Sequence, residues 1–232
     1  RAAQELRTYR KHAAAISGCA GRIRQPPKNA ERTGFRPVSE KSENNVPSSP
    51  FFFLTLVTMA GLYFHIPFCK RVCAYCDFYK SADLRRMDDL LAAMHRELDD
   101  RRGYPGGEAV TTRYFGGGTP SLCTPEAIRG LLDHAARLFD CSGAEETTLE
   151  ANPDDLTAEY LGGLLEAGID RLSIGVQSFD DDCLKLMNRR HTAAQAAEAV
   201  RAAQRAGFGN ITLDLIFGVP GFGGDTLRRS LD

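Results

Sequence analysis

From residue 61 onward the apolar positions change period repeatedly. Short stretches near Leu62–Ile66, Thr112–Phe115, Thr147–Ala151, Arg171–Val176 and Ile211–Phe217 are short and rich in β-branched and aromatic residues, and they read as strands. Between them the period lengthens. Leu84, Met87, Leu91, Met94 and Leu98 recur at three- and four-residue steps, with Arg85, Asp88, Arg96 and Asp99 on the opposite face, which predicts an amphipathic helix. Thr124-Pro125 predicts the start of a second helix, as N-cap and first-turn proline. Thr157 caps a third that stops at Gly168, and Thr192 opens an alanine-rich fourth that stops at Gly207. Alternation of this kind builds an α/β fold in which a parallel sheet carries its helices outside and gathers functional groups beyond the strands' C-terminal ends. Five β/α units are expected. The helix after the fifth strand reaches Asp232, so a sixth strand and a C-terminal domain are expected to lie outside this chain.

Charge divides the chain in two. Residues 1–58 hold ten Lys/Arg against four Asp/Glu, near +6, which leaves the remainder near −7. That first stretch contains Pro26-Pro27, Asn44-Asn45 and Pro47-Ser48-Ser49-Pro50, keeps no sustained period, and is expected to be largely disordered. It has no methionine before Met59. It is read as an upstream extension preceding a start at Met59, with an Arg-rich, acid-poor organellar targeting segment as the alternative. Over the whole chain, 43% apolar side chains and a formal charge of −1 show no bias toward nucleic acid or membranes, and the Phe51–Leu54 run is too short to predict a span. Seven cysteines, an odd number, fit a reducing, cytoplasmic setting better than a secreted disulfide framework.

Three of those cysteines define the chemistry. Cys69, Cys73 and Cys76 form a Cys-x3-Cys-x2-Cys run in a loop opened by Pro67, directly after the first strand. Three thiolates serve three irons of a cubane cluster and leave the fourth iron free for another ligand. Structural zinc is the competing reading. It needs four ligands, and His65 inside the strand is a weak fourth. Cys19, Cys123, Cys141 and Cys183 stand alone and are read as ordinary residues.

Tyr63-Phe64-His65-Ile66-Pro67-Phe68-Cys69, the cysteine triplet and Tyr75 resemble the signature of radical S-adenosylmethionine (SAM) proteins of the oxygen-independent coproporphyrinogen-III-oxidase-like family. The resemblance covers residues 59–232 and implies a partial (β/α)6 barrel. It also implies a [4Fe-4S] cluster on Cys69, Cys73 and Cys76, with the open iron chelated by the amino and carboxylate groups of SAM. In that family the reduced cluster cleaves SAM to a 5′-deoxyadenosyl radical.

Carried over residue by residue, the resemblance places Tyr63 at the SAM–cluster centre and Tyr75 against the adenosyl part. Gly117, Gly118 and Thr119, in the Gly116–Pro120 segment, would face the methionyl end; a plain tight turn is the alternative there. Glu150, Gln177 and Asp214 are implied to hydrogen-bond the ribose or methionyl groups, and Arg189 to neutralise a carboxylate. Local salt bridges or caps are the alternatives for these four. Gly218-Val219-Pro220-Gly221 resembles the turn whose backbone faces adenine, though a simple Pro-Gly turn reads the same.

Within the family, the oxidases place a fourth cysteine two residues after the triplet, whereas this chain reads Cys76-Asp77-Phe78-Tyr79. The Cys-Asp-Phe continuation resembles the haem-chaperone branch. That branch implies haem binding and delivery, with SAM, haem or porphyrin, haem-accepting proteins, an electron donor and a second copy of the chain as partners. A radical enzyme acting on a porphyrinogen is the alternative, and a degenerate protein with a structural cluster is a third reading.

Overall fold

The computed structural model describes residues 59–231, so the expectations for residues 1–58, including Cys19, lie outside the described residues. Five parallel strands pair in chain order: β1 (Ala60–Ile66), β2 (Val110–Gly117), β3 (Glu146–Ala151), β4 (Arg171–Gln177) and β5 (Asn210–Leu215). The helices that connect them are α1 (Met87–Asp100), α2 (Pro125–Leu138), α3 (Ala158–Ala167), α4 (Asp181–Leu186) and α5 (Ala193–Ala206), with α6 (Gly224–Leu231) after β5. The β/α alternation read from the periodicity is therefore present throughout this region.

Strand alternation gives the sheet two chemically different faces. Phe64, Ile66, Phe115, Leu149, Leu172 and Ile174 are buried on one side, where they pack with Met94, Leu98, Ile128, Leu131, Leu161, Leu164 and Ala203 of the helices. By register, the other side carries Tyr63, Tyr114, Thr148, Glu150, Arg171, Ser173, Thr212 and Asp214. Arg171 spans three strands there, donating to Glu146 at 3.1 Å, Thr148 at 3.3 Å and Thr212 at 2.9 Å. A sheet with helices on one face only has to satisfy its second face in water with polar groups or cover it with other material. Here it is polar.

The expected helix ends are made by the expected atoms. Thr124, Thr157 and Thr192 each accept a backbone N–H three residues on, and Thr192 forms a capping box with Gln195. Gly168 and Gly207 close α3 and α5 in the left-handed conformation. Several boundaries differ from the reading; β1 starts at Ala60, and β2 runs two residues further at each end, from Val110 to Gly117. The first helix begins as a 3-10 turn at Leu84–Arg86 before α1 proper. β5 ends at Leu215 rather than Phe217, because the β4 pairing slips between Gly175 and Gln177; Ile216 then donates to the Gln177 carbonyl at 2.9 Å and the chain turns away. Among the described residues, no helix is long and apolar enough to cross a membrane.

Candidate functional site

The cysteine loop is closed at its base by backbone. Ser81 donates to the Pro67 carbonyl at 2.8 Å and Cys69 to the Ser81 carbonyl at 3.0 Å, so the chain returns to its starting point after a tight excursion. A turn from Cys76 N–H to the Cys73 carbonyl, 3.3 Å, brings the second and third cysteines together. The segment after α4 clamps the loop from outside: Ala74 donates to Met187 O at 3.0 Å, and the Asn188 amide to Val72 O at 2.7 Å. Cys69 is buried, whereas Cys73 and Cys76 are half-buried and reachable.

The glycines at the end of β2 allow that loop to sit where it does. A Cβ on Gly118 would lie 2.8 Å from Phe68 O and Pro67 C and 3.0 Å from the Cys69 sulfur. Those contacts are mostly backbone and cannot swing aside. Gly118 is thus required by the close packing of the chain after β2 against the cysteine loop, a demand that spacing alone did not reveal. Immediately after it, the Thr119 hydroxyl donates to Cys69 Sγ at 3.4 Å. Burial pushes the Cys69 thiol up, and the Thr119 contact pulls it partly back down.

Arg189 approaches from the opposite side. Its Nη1 donates to Cys73 Sγ at 3.3 Å and its Nη2 to the Gly175 carbonyl and to Asn152 Oδ1, while its Nε is buried without a hydrogen-bond partner. Gln177, a non-glycine residue at φ 71°, folds its amide over Gly175, where a Cβ would come within 2.8 Å of Nε2. Tyr75 is half-exposed. Burial raises its pKa against the pull of Arg189.

Across the sheet, Glu150 accepts from the Tyr114 hydroxyl at 2.8 Å and from the Gly117 N–H at 2.9 Å. Burial raises its pKa and those two donors oppose the rise. Tyr63 stacks on Tyr114 with ring centroids 6.0 Å apart and shares a 3.0 Å hydrogen bond with His65 Nδ1; burial, reinforced by Glu150, pushes it up to about 12. The structure therefore links Tyr63, Glu150 and Gly117 as one group, and Thr119, Arg189 and the cysteines as another. Asp214 belongs to neither by hydrogen bond. It stands exposed on β5 opposite Gly175.

The motif reading did not single out two residues beyond the end of β3. Asn152 lies between Thr119 and Arg189, at 3.4 Å and 2.6 Å. Asp155 is buried and joins Lys70, Ser121 and Arg190 at 2.9, 2.9 and 3.0 Å. Their one signal was position, just beyond the C-terminal end of a strand.

Whether the site suits a cluster depends on its donors. Among the described residues, no group of three or more His, Cys, Asp or Glu converges on a point that would hold a single ion. A cubane takes its thiolates on separate irons and does not require such convergence. It does bring negative charge into a partly buried loop, and here a hydroxyl and a guanidinium already point at two of the three sulfurs. The donor set fits.

Comparison with known proteins points the same way. The sequence profile of the radical SAM superfamily matches residues 63–232. The chain is 41% identical over 165 residues to the haem chaperone HemW of Bacillus subtilis, covering 70% of this chain and 44% of that protein. It is 38% identical over 162 residues to HemW of Escherichia coli, covering 69% and 43%. The chain thus spans less than half the length of these curated relatives. Among solved structures, the coproporphyrinogen III oxidase HemN of Escherichia coli, a radical SAM enzyme, superposes with a TM-score of 0.68 at 28% identity, covering 75% of this chain and 40% of that one.

Proposed function

Since the chain belongs to the radical SAM superfamily, we propose that its cysteine loop holds a [4Fe-4S] cluster, that SAM binds beside it, and that the whole protein is a haem chaperone. The observation that carries the first part is the loop itself: three thiols in one backbone-closed excursion, with Thr119 and Arg189 donating to Cys69 and Cys73. Bound there, the cluster would supply an open iron to ligate SAM and an electron received from an external donor.

The chain's own residues divide the remaining work. In this reading Tyr63, Glu150 and Gly117, joined through Tyr114 and the Gly117 N–H, form one part of the SAM site with Gly118 beside them, and Thr119, Tyr75, Gln177 and Arg189 form the other. Asp214 adds an exposed carboxylate from β5. In this reading Glu150, Gln177 and Asp214 orient the ribose and amino groups of SAM, and Arg189 faces its carboxylate. Gln177→Ala and Asp214→Ala are each expected to weaken SAM binding by about 1 to 3 kcal/mol, the scale of a lost polar partner, or about 5- to 150-fold in Kd. Titration of SAM into the anaerobic, cluster-loaded protein measures this. Unchanged affinity in both variants would remove the two residues from the site.

The chaperone reading rests on Phe78, 73% exposed where the oxidases carry a further cysteine, and on the similarity to HemW proteins. It implies a cytoplasmic protein whose partners are haem, a haem-accepting protein, an electron donor and a second copy of itself. A radical enzyme acting on a porphyrinogen is the second reading, favoured by the likeness to HemN. One anaerobic assay on the full-length protein separates them, with haem transfer to an apo-acceptor and decarboxylation of coproporphyrinogen followed together. Haem transfer without decarboxylation is expected. Turnover of coproporphyrinogen without haem binding would overturn the chaperone reading.

A further inference from the structure

Asn152 is the first residue beyond β3, and its backbone N–H is pinned on Ser121 Oγ at 3.2 Å. Its side-chain amide bridges Arg189 Nη2 at 2.6 Å and Thr119 Oγ1 at 3.4 Å. The chemistry of the partners fixes which way this bridge is polarised. A guanidinium can only donate, so the amide oxygen faces Arg189 and the NH2 group faces Thr119. A hydroxyl that accepts from this amide directs its own hydrogen elsewhere, and the acceptor in reach is Cys69 Sγ at 3.4 Å. On the other arm, Asn152 shares Nη2 with the Gly175 carbonyl, and the two together keep Nη1 of the same planar guanidinium on Cys73 Sγ at 3.3 Å. One amide therefore helps to set a donor on each of two sulfurs.

We infer that Asn152 is a positioning residue that acts through Thr119 and Arg189 to keep hydrogen bonds on two of the three cluster thiolates, and that it thereby raises the cluster's reduction potential. This rests on the cluster reading above. The reduced cluster carries one more negative charge than the oxidised one, so donors aimed at its sulfurs stabilise the reduced form more.

The test is an EPR-monitored redox titration of the anaerobically reconstituted protein, with iron and sulfide content measured in parallel. Thr119→Val keeps the shape and removes one donor. Asn152→Asp keeps an oxygen for Arg189 but presents a second acceptor to Thr119, which draws the hydroxyl hydrogen off Cys69. Asn152→Ala frees the Thr119 arm and leaves Arg189 Nη2 on the Gly175 carbonyl alone. Each variant is expected to keep full cluster content. Thr119→Val is expected to lower the reduced-to-oxidised ratio at a fixed poise by about 3- to 10-fold, up to about 59 mV for a one-electron couple. Asn152→Ala should lower it at least as far, and adding Thr119→Val to Asn152→Ala should add little, because the Thr119 arm is already lost.

Unchanged potentials in Thr119→Val and Asn152→Asp at full cluster content would overturn the inference and leave the cluster reading intact. So would a fall in cluster content or melting temperature with no movement in potential, the mark of a purely structural role. If Asn152→Ala sheds its cluster, the two shape-preserving variants still decide. Failure of the unaltered protein to load iron and sulfide would overturn both.

Discussion

Alanine at Cys73 is expected to lower the iron and sulfide content of the anaerobically reconstituted protein from about four of each per chain to near zero, and to abolish its broad visible absorption. Three thiolates are the minimum that leaves a cubane with one open iron, and the loop offers no substitute: Asp77 lies beyond the Cys73–Cys76 turn and His65 is engaged with Tyr63. The loss should be one of ligation and not of folding. The contacts that shape the loop, from Cys69 N–H to Ser81, from Ala74 N–H to Met187 and from Asn188 to the Val72 carbonyl, use no sulfur atom. The apo forms of Cys73→Ala and the unaltered protein are therefore expected to melt within about 1.5 kcal/mol of each other, the scale of the one hydrogen bond lost from Arg189. Cys69→Ala should differ, since it also empties a buried position against Gly118 and Thr119. Cys141→Ala should keep its full complement of iron. Retention of iron and sulfide in the Cys69, Cys73, Cys76 triple alanine variant would refute the ligand assignment.

Local signals carried most of the fold. Caps at Thr124, Thr157 and Thr192 and stops at Gly168 and Gly207 are interactions between residues three to five apart, so they are written in adjacent letters of the sequence. The parallel sheet follows from the regular alternation of strand and helix along the chain. What escaped was non-local or too short to show a period. The six-residue α4 spans less than two turns, and its Asp180 cap resembles any Asp-rich turn until the structure shows Asp182 and Cys183 donating to it. The early end of β5 depends on a slip in β4, its neighbour.

Within the site, the cysteines were legible because their chemistry is carried by spacing. Gly118 was legible as a close-approach glycine, but what approaches it is the cysteine loop, a contact made across 49 positions of chain to Cys69. Asn152 and Asp155 were legible only by their position beyond a strand end. Neither residue type in an Asn-Pro-Asp-Asp turn differs from an ordinary solvated loop until the fold buries one carboxylate and brings two cations to it.

That burial determines what Asp155 does for the site. Its side chain is 3% exposed and accepts from Lys70, the residue after Cys69, from Ser121 in the turn after the glycine run, and from Arg190, the residue after Arg189. Three separate segments, each adjacent to a residue of the candidate site, are tied to one carboxylate. Removing one partner of a buried ion pair typically costs about 3 to 5 kcal/mol, because a charge is left without compensation. Here the stranded cations have alternatives. The Lys70 side chain is 49% exposed and recovers water, while Arg190 keeps a 2.9 Å pair with Asp154. The cost left over comes mainly from the Ser121 hydroxyl and the emptied buried site, so Asp155→Ala is expected to destabilise the protein by about 2 to 3 kcal/mol, which for a chain of this size lowers Tm by roughly 4 to 12 °C. The same analysis orders the pairwise couplings. In double-mutant cycles the Asp155–Lys70 coupling should fall below about 1 kcal/mol, as for half-solvated pairs, and the Asp155–Arg190 coupling should exceed it. Because the tethered segments carry Cys69 and Arg189, Asp155→Ala should also slow cluster reconstitution, whereas Arg205→Ala, on the exposed face of α5, should not. An Asp155→Ala variant that melts within 0.5 kcal/mol of the unaltered protein and reconstitutes at its rate would show that these segments hold their places without the carboxylate.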